Sequence, residues 1–135
     1  MSDFNYEAND EVFNLLTRKV GTVLNVKEVN SSITHPKKYV RVFIKSDMPD
    51  DKYNTPHIDV PDANFKSLLY YVNDSDGDTF VFNETFHDRK DLTIRKRVSP
   101  KKGRAVVIDS NTWHASSNPR NHANRIVLNL IFSVK

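Results

Sequence analysis

Residues 125–134, RIVLNLIFSV, alternate regularly enough to predict a β-strand with two different faces. One face carries only apolar side chains, those of Ile126, Leu128, Leu130, Phe132 and Val134. The other face begins with Arg125 and continues with a mixture of apolar and polar residues. Because a guanidinium buried without an anion costs free energy, Arg125 predicts either an exposed start of the strand or a bound anion beside it.

Six further stretches with strand character precede this one, and each is bounded by Asn, Asp, Gly or Pro. They cover residues 22–29, 39–45, 65–72, 79–83, 92–98 and 104–108, and short extended pieces at 57–60 and 113–116 raise the number of predicted strands to nine. Only residues 8–20 show helical spacing, with acids in the first turn and bases in the last. Since parallel strands need crossover helices that this pattern lacks, we expect an antiparallel sandwich or barrel.

The length and composition are those of one ordinary globular domain. A chain of 135 residues supports a single core, and 38% hydrophobic with 27% charged residues excludes both disordered and membrane-spanning classes. No apolar run reaches the roughly 18 residues of a membrane span, and acids in the first 20 positions argue against a signal peptide. We therefore expect a cytoplasmic protein with a single domain over residues 1–135, a helix at about 8–20 and a barrel at about 22–134.

The absence of cysteine limits the chemistry that the chain can support. Disulfide scaffolds, thiolate zinc sites, iron–sulfur clusters and thiol nucleophiles are all excluded, so His, Asp and Glu are the strong metal ligands that remain. The three glycines, Gly21, Gly77 and Gly103, lie too far apart to form a phosphate-binding or dinucleotide-binding glycine motif. A metal site, if there is one, therefore rests on imidazoles and carboxylates.

His57 and Asp59 form an H-x-D pair. Residues i and i+2 of a strand share a face, so this spacing presents an imidazole and a carboxylate as two ligands of one metal. The pair alone is weak evidence, because a histidine and an aspartate that hydrogen-bond on a loop have the same spacing. His114, after the apolar run 105–108, offers a second imidazole, whereas the remaining histidines have no carboxylate two positions on: His35, His87 and His122.

Together these residues resemble the non-haem iron, 2-oxoglutarate-dependent dioxygenases, and within them the prolyl-4-hydroxylase-like branch. The family pattern is H-x-D, a distal histidine and a basic residue about ten positions later, matched here by His57 and Asp59, His114 and Arg125. The segments YNTPH at 53–57, LYYVNDSDGDTFVF at 69–82 and KGRAVVID at 102–109 are also similar to family motifs. The resemblance extends from about residue 39 to residue 132.

The resemblance implies a double-stranded β-helix, the jelly-roll barrel of cupins. It also implies a hydroxylase that couples oxidative decarboxylation of 2-oxoglutarate to succinate with hydroxylation of an unactivated C–H bond. Fe(II) would be held by His57, Asp59 and His114, with 2-oxoglutarate and O₂ as cosubstrates and ascorbate as a candidate further cofactor. Arg125 would anchor the distal carboxylate of 2-oxoglutarate as a planar two-donor fork. The favoured substrate is a prolyl or other amino-acid side chain, in a peptide, in a protein or free.

Other positions around the expected site follow from the same resemblance. Val127 stands where many members carry a hydroxyl residue that binds the cosubstrate, and Thr79 is our candidate for that second donor. One of Tyr70 and Tyr71 faces the cosubstrate because adjacent strand residues alternate, and the sequence leaves both open. The substrate rim is assigned to Tyr53, Trp113, His122 and Asn129. For Trp113, packing in the core is the more frequent role.

Two alternative functions stay open. A non-catalytic metal-binding or sensing β-barrel would keep the triad, and the small size of the chain, which leaves little room for a substrate lid, favours it. A nucleic-acid demethylase would use residues 89–104, which contain eight basic residues and one acidic residue. Against this, Ile131 stands where that branch carries a second arginine. The favoured explanation of the basic stretch is a solvated strand edge protected against pairing. Neither nucleic acid nor a membrane is expected as a partner, and the sequence leaves the oligomeric state open.

Overall fold

The computed structural model describes residues 29–30 and 37–134, and the predicted helix at 8–20 and nearly all of the predicted strand at 22–29 lie outside this part of the chain. The described residues form eight β-strands and no helix, so none of them forms a helix of the kind that crosses a membrane. The strands are β1 (Val29–Asn30), β2 (Lys37–Ile44), β3 (Phe65–Tyr71), β4 (Thr79–Thr85), β5 (Ile94–Val98), β6 (Ala105–Asp109), β7 (Thr112–Ala115) and β8 (Asn124–Val134).

The strands form two sheets. The larger sheet has the order β1-β8-β3-β6, with β2 paired along the same edge of β8 as β1, and the smaller sheet has the order β5-β4-β7. Every strand pair is antiparallel. The prediction of a mainly β protein with antiparallel strands is therefore confirmed, and among the described strands β5 and β6 are edge strands of the two sheets.

Residues 57–60 do not form the predicted strand. His57 makes a single antiparallel bridge with His114, through two backbone hydrogen bonds of 2.9 and 3.0 Å. The ladder ends there because the next backbone donors, from Asp59 and Val60, both bond to the carbonyl oxygen of Ser110 instead. Pro61 then offers no N–H to continue the pairing.

Both faces of the larger sheet carry buried apolar side chains. On one face Leu68, Leu130 and Phe132 form a cluster. On the other face Leu69, Tyr71 and Val127 pack against Val98 of β5, which belongs to the smaller sheet. This second cluster is therefore the core between the two sheets, and the mixed face of β8 that begins with Arg125 points into it.

The smaller sheet also has two distinct faces. Phe80, Phe82 and Ala115 form a third buried cluster on one face. Their neighbours in sequence, Thr79, Val81 and His114, lie on the opposite face because strand side chains alternate. This is the face that meets the larger sheet, and it brings the second imidazole of the predicted triad to the interior.

A tight turn before β4 contacts the loop that leads into β8. Gly77 has φ +88°, and a Cβ added there would lie 2.8 Å from the carbonyl oxygen of Ser117 and from the carbonyl carbon of Asn118. Asp76 accepts hydrogen bonds from the backbone N–H groups of Arg120 and Asn121, at 3.0 Å each. These contacts fix where β8 begins, and so they position Arg125.

Candidate metal centre

The structure brings together the three side chains of the predicted triad, His57, Asp59 and His114. Each offers one ligand atom, and these atoms all lie within 4.8 Å of one another. The two carboxylate oxygens of Asp59 are each 3.5 Å from an imidazole, one from Nε2 of His57 and one from Nε2 of His114. The imidazole centroids are 4.3 Å apart, so the donor atoms converge on one point.

The backbone explains this convergence without a second strand. Residues directly opposed in an antiparallel bridge present their side chains on the same face, so the His57–His114 bridge places two imidazoles side by side. The hydrogen bond of 2.9 Å from the Asp59 N–H to the Ser110 carbonyl then holds the carboxylate next to them. The triad therefore depends on β7 and on the turn that precedes it.

Neighbouring polar groups orient the triad. The Ser67 hydroxyl donates a 2.6 Å hydrogen bond to Oδ2 of Asp59, and it lies 2.7 Å from the hydroxyl of Ser110. Nδ1 of His114 lies 2.9 Å from the carbonyl oxygen of Thr112, so Nδ1 carries the proton and Nε2 keeps its lone pair toward the centre. Neither contact was predicted from the sequence, although Ser67 is the only serine of β3.

The surroundings favour the protonation states that a metal needs. Burial acts to raise the pKa of Asp59, but the hydrogen bond with His57, the charge of His114 and the Ser67 hydroxyl outweigh it and hold that pKa below its usual value. Burial lowers the pKa of His114. A carboxylate beside a neutral imidazole is the state in which both groups coordinate a cation.

Arg125 is buried, with 2% of its surface exposed, so the exposed strand start that the sequence left open does not occur. Its Nη2 donates a 2.7 Å hydrogen bond to the Thr79 hydroxyl, and its guanidinium carbon lies 4.8 Å from the centre of the Phe43 ring. The Nε of Arg125 is buried without a hydrogen-bond partner. Burial lowers the pKa of this guanidinium, and no described carboxylate pairs with it, so the site lacks an anion.

Tyr71 and Thr79 complete the surroundings of Arg125. The Tyr71 hydroxyl lies 2.6 Å from the Thr79 hydroxyl, and the Arg125 guanidinium lies 5.6 Å from the centre of the Tyr71 ring. Burial raises the pKa of Tyr71, which keeps the phenol protonated at neutral pH. Tyr70 faces the other way and packs against the cluster of Leu68. Of the two tyrosines left open by the sequence, Tyr71 lies beside Arg125.

The two histidines of the triad and Arg125 line the same small cavity. His57 and His114 line one part of it, and Thr79 and Arg125 line another. The remaining lining residues are Arg41, Phe43, Leu69, Ser116, Val127 and Asn129. A ligand that bridges a metal held by the triad and the guanidinium of Arg125 would occupy this single space, which we call the site cavity.

A family model for the 2OG-Fe(II) oxygenase superfamily matches residues 43–133, well over half of the chain. The chain belongs to the 2OG-Fe(II) oxygenase superfamily. No curated protein matches its sequence significantly. The matched residues include the whole triad, Thr79 and Arg125, so every group around the site cavity that sequence reasoning selected lies within the oxygenase domain.

Solved structures of 2OG-Fe(II) oxygenases share the fold at low sequence identity. An oxidoreductase of this family from Burkholderia pseudomallei superposes with a TM-score of 0.60 at 15% identity, over 97% of this chain and 66% of that one. A Pseudomonas putida prolyl-4-hydroxylase gives 0.53 at 16%, over 93% and 62%. A prolyl hydroxylase from Trichoplax adhaerens, in complex with a peptide fragment of the hypoxia inducible factor oxygen degradation domain, gives 0.57 at 16%, over 91% and 56%. This oxygenase chain thus spans between 56% and 66% of the length of these proteins.

The donor set of this oxygenase fits the metal that the superfamily name implies. Two imidazoles and one carboxylate form the set that non-haem Fe(II) oxygenases use, and three protein ligands leave coordination positions open for other molecules. The orphaned Nε of Arg125 in the same cavity fits an anionic cosubstrate. The residues present therefore match both Fe(II) and 2-oxoglutarate.

The four residues assigned to the substrate rim lie in different parts of the oxygenase structure. Asn129 lines the site cavity. Tyr53 and Trp113 pack on the cluster of Phe80 and Phe82, on the opposite face of the smaller sheet. His122 is half-exposed and lies 3.0 Å from the carboxylate of Asp76.

Arg41 lines the cavity although sequence reasoning did not select it. It lies opposite Val127 in the register of β2 and β8, and only that register reveals its position.

Proposed function

We propose that this superfamily member is an active hydroxylase. It couples oxidative decarboxylation of 2-oxoglutarate to succinate with hydroxylation of a C–H bond, and it uses Fe(II) and O₂. The observation that carries the proposal is the site cavity, which is lined by both histidines of a His-Asp-His triad and by a buried arginine whose Nε has no hydrogen-bond partner. A dianion with a chelating end and a distal carboxylate fits that pair of groups.

His57, Asp59 and His114 would hold the iron. When bound, Fe(II) supplies the capacity to activate O₂ for oxidation of a C–H bond, which no side chain of this protein can do. The protein holds Asp59 ionised and fixes its orientation through Ser67. It holds His114 in the tautomer with Nε2 free through the carbonyl of Thr112.

Arg125 and Thr79 would bind the distal carboxylate of 2-oxoglutarate. The unpartnered Nε and the planar fork of Arg125 match a carboxylate in two-donor geometry. The Thr79 hydroxyl already accepts a hydrogen bond from Arg125 and lies next to Tyr71, so it is placed to act as the second donor that Val127 does not provide. Phe43 and Tyr71 cover the guanidinium and exclude water from it.

The fold proposed for this enzyme is the double-stranded β-helix. Its support is the pairing order β1-β8-β3-β6 in one sheet and β5-β4-β7 in the other, with His57 bridged to the outer side of β7. In this arrangement the interior faces of both sheets contribute to one site, which is how Thr79, His114 and Arg125 meet.

The proposed substrate is a prolyl or other amino-acid side chain of a polypeptide, as in the prolyl-4-hydroxylase-like branch. The support is the likeness to two prolyl hydroxylase structures, one of which holds a peptide. Ascorbate, as a reductant that maintains Fe(II), completes the proposed cofactors.

The test is succinate production from 2-oxoglutarate by the purified protein with Fe(II) and O₂. We expect turnover that rises when a substrate peptide is added, and that is lost in the His57→Ala and Asp59→Ala variants together with tight iron binding. Arg120→Ala, an exposed substitution outside the cavity, serves as the control. Iron binding without succinate across peptide and small-molecule panels would instead identify a non-catalytic metal-binding barrel.

A further inference from the structure

A second and larger cavity lies between β5 and β6, which are edge strands in the described part of the chain. Its volume is about 610 Å³, and we call it the β5–β6 cleft. The residues that line it include four cationic ones and no acidic one: Arg95, Lys96, Arg97 and Arg104. The Arg97 side chain itself lies over the Phe80 ring, at 4.6 Å. These cations belong to the basic stretch at residues 89–104, which the proposed hydroxylase chemistry does not use.

Most of this charge has no acidic partner. Arg97 forms ion pairs with Asp50 and Asp78, at 3.2 and 3.0 Å. In the described part of the chain, Arg95 and Lys96 form no ion pair, and Arg104 donates only to the carbonyl and hydroxyl oxygens of Ser99. Three of the positive charges at the opening therefore have no acidic partner among residues 29–30 and 37–134. Protection of edge strands fits both the cations of β5 and Arg104 next to β6. It does not require these cations to line one cleft, as they do here.

The floor of the cleft is aliphatic. Val81, Val98 and Val106 line it, and the last two belong to the core cluster between the sheets. Leu69 of the same cluster lines the site cavity. Residues of one apolar cluster therefore line both the cleft and the site cavity.

The sheet register gives the separation of the cleft from the candidate metal centre. Val81 is opposite His114 on one side and opposite Lys96 on the other. Directly opposed residues share a face and neighbouring strands lie about 4.8 Å apart, so Lys96 is roughly 10 Å from His114 on the same interior face. A molecule in the cleft would therefore lie roughly 10 Å from the candidate metal centre.

We propose that the β5–β6 cleft docks an extended, acidic segment of another polypeptide. No other described strand pairs with the outer edges of β5 and β6, and such edges offer backbone hydrogen-bonding groups to an added strand. Alternate side chains of that strand would rest on the valine floor, and acidic side chains between them would meet Arg95, Lys96 and Arg104. Single-stranded nucleic acid matches less well, because no aromatic side chain lines the cleft to stack on a base.

A link to catalysis rests on the proposed hydroxylase function. An extended chain advances about 3.3 Å per residue, so a span of roughly 10 Å corresponds to about three residues. The residue that is hydroxylated would then lie within a few positions of the acidic segment. Docking itself requires neither iron nor turnover.

The experiment measures fluorescence anisotropy of labelled 12-residue peptides with metal-free protein. One peptide alternates Glu with Val and Thr, a second replaces every Glu by Lys, and a single-stranded oligonucleotide of equal charge is the third probe. We expect the acidic peptide to bind at least tenfold more tightly than both other probes. Tighter binding of the oligonucleotide, or equal binding of the two peptides, overturns the proposal.

Two charge-matched variants locate the binding site. Arg95→Glu with Lys96→Glu reverses charge in the cleft, whereas Arg89→Glu with Lys101→Glu makes the same change in net charge on exposed residues outside it. We expect at least a tenfold loss of affinity in the first variant and less than a threefold loss in the second. Equal losses indicate attraction to net charge alone and contradict the proposal.

Amide chemical shifts provide a readout of where the peptide lies. Addition of the acidic peptide should move the signals of β5 and β6 more than those of β1 and β2, and the opposite pattern contradicts docking in the cleft. Because metal-free protein is used throughout, failure of docking leaves the hydroxylase proposal standing. Failure of succinate production in turn leaves docking standing.

Discussion

At the scale of a single residue, Arg125 occupies a candidate binding site in an arrangement that lowers the stability of the free protein. The guanidinium is buried among aromatic rings, bonds to a neutral hydroxyl and leaves Nε without a partner. A buried cation without an anion reduces the free energy of unfolding. The proposed cosubstrate would supply that anion, so the residue that lowers the stability of the free protein is the one proposed to bind 2-oxoglutarate.

We predict that Arg125→Met separates stability from binding. Loss of the Thr79 hydrogen bond and of the contact with Phe43 costs about 1 kcal/mol each, and removal of a buried uncompensated charge offsets this. The variant should therefore unfold within about 2 kcal/mol of the parent protein, yet no longer be stabilised by 2-oxoglutarate. Urea unfolding with and without 2-oxoglutarate tests this, with Arg120→Met as the control. Retained stabilisation by 2-oxoglutarate would rule out the anchoring role.

Ser67 supplies a second prediction at the residue scale, because its hydroxyl donates to the carboxylate of Asp59. Ser67→Ala should weaken metal binding about tenfold, as is typical when a residue that orients a ligand is removed. Ser110→Ala is the matched control, since Ser110 bonds to Ser67 but its hydroxyl makes no hydrogen bond to Asp59. Competition with a metal-binding dye measures both affinities, and equal losses in the two variants would argue against an orienting role.

At the scale of elements, the turn before β4 and the loop before β8 act as one unit. The turn contains Asp76 and Gly77. Asp76 accepts hydrogen bonds from Arg120 and Asn121 of the loop, and a Cβ added at Gly77 would collide with residues 117–119 of the same loop. Thr79 follows the turn and Arg125 follows the loop, and their side chains form a 2.7 Å hydrogen bond. Damage to this unit should therefore affect the anion site before it affects the triad.

Gly77→Ala should destabilise the protein by about 2 kcal/mol or more. The added Cβ would lie under 3.0 Å from three backbone atoms of residues 117–119, in a backbone conformation with φ +88°. Gly103→Ala separates steric contact from backbone strain. Gly103 has φ +83°, but no atom lies within 4 Å of a Cβ added there. We therefore expect only the strain, about 1 kcal/mol, in this variant. Urea unfolding compares the two variants, and an equal loss would show that the contact with residues 117–119 is unimportant.

Asp76 predicts a dependence of stability on pH. Burial acts to raise its pKa, but the hydrogen bonds from His122 and from the N–H groups of Arg120 and Asn121 lower it to about 2. Because the folded value lies below the ordinary value of 3.8, this contribution to stability is present above pH 4 and is lost as the pH falls from about 4 to about 2.

The test of this dependence uses Asp76→Asn, which should be less stable than the parent protein at pH 7 and should lose less stability between pH 4 and pH 2. Urea midpoints measured across that range provide the comparison. Asp47→Asn, at an exposed aspartate, is the control. A slope unchanged in Asp76→Asn would contradict the assignment.

At the scale of the whole molecule, two sheets share one interior that is divided into two compartments. Residues of the core cluster between the sheets line both compartments: Leu69 lines the site cavity and Val98 lines the basic β5–β6 cleft. The triad comes from the bridge to β7 and the arginine from β8, so the site joins both sheets. Ligands of the site cavity should accordingly stabilise the fold as a whole.

We predict that Fe(II) and 2-oxoglutarate together, without oxygen, raise the thermal unfolding temperature. A ligand at 100 times its dissociation constant adds about 2.7 kcal/mol, which corresponds to roughly 5–10 °C for a domain of this size. Differential scanning calorimetry measures the rise, and a chelator should reverse it. Asp59→Ala, which lacks the carboxylate of the triad, should show little rise; a full rise in that variant would place the metal elsewhere.

Most strands could be predicted from local patterns, because alternation and turn residues are properties of short segments. The predicted strands from 39–45 onward match β2 to β8 within a few residues. Residues 57–60 are the exception, because their backbone donors leave the ladder for the Ser110 carbonyl, a contact between segments that no local pattern contains. The choice between Tyr70 and Tyr71 likewise depended on which face of β3 meets the second sheet.

By itself, the sequence determined a cysteine-free, mainly antiparallel β chain with His57, Asp59, His114 and Arg125 as its candidate site, because residue type and spacing carry that information. Only the tertiary structure decided that Arg125 is buried beside Thr79, that Arg41 enters the cavity, and that Tyr53 and Trp113 do not. It also decided that the basic residues border a cleft next to the site. The physical reason is that burial, register and cavities arise from contacts between distant segments, which local spacing does not specify.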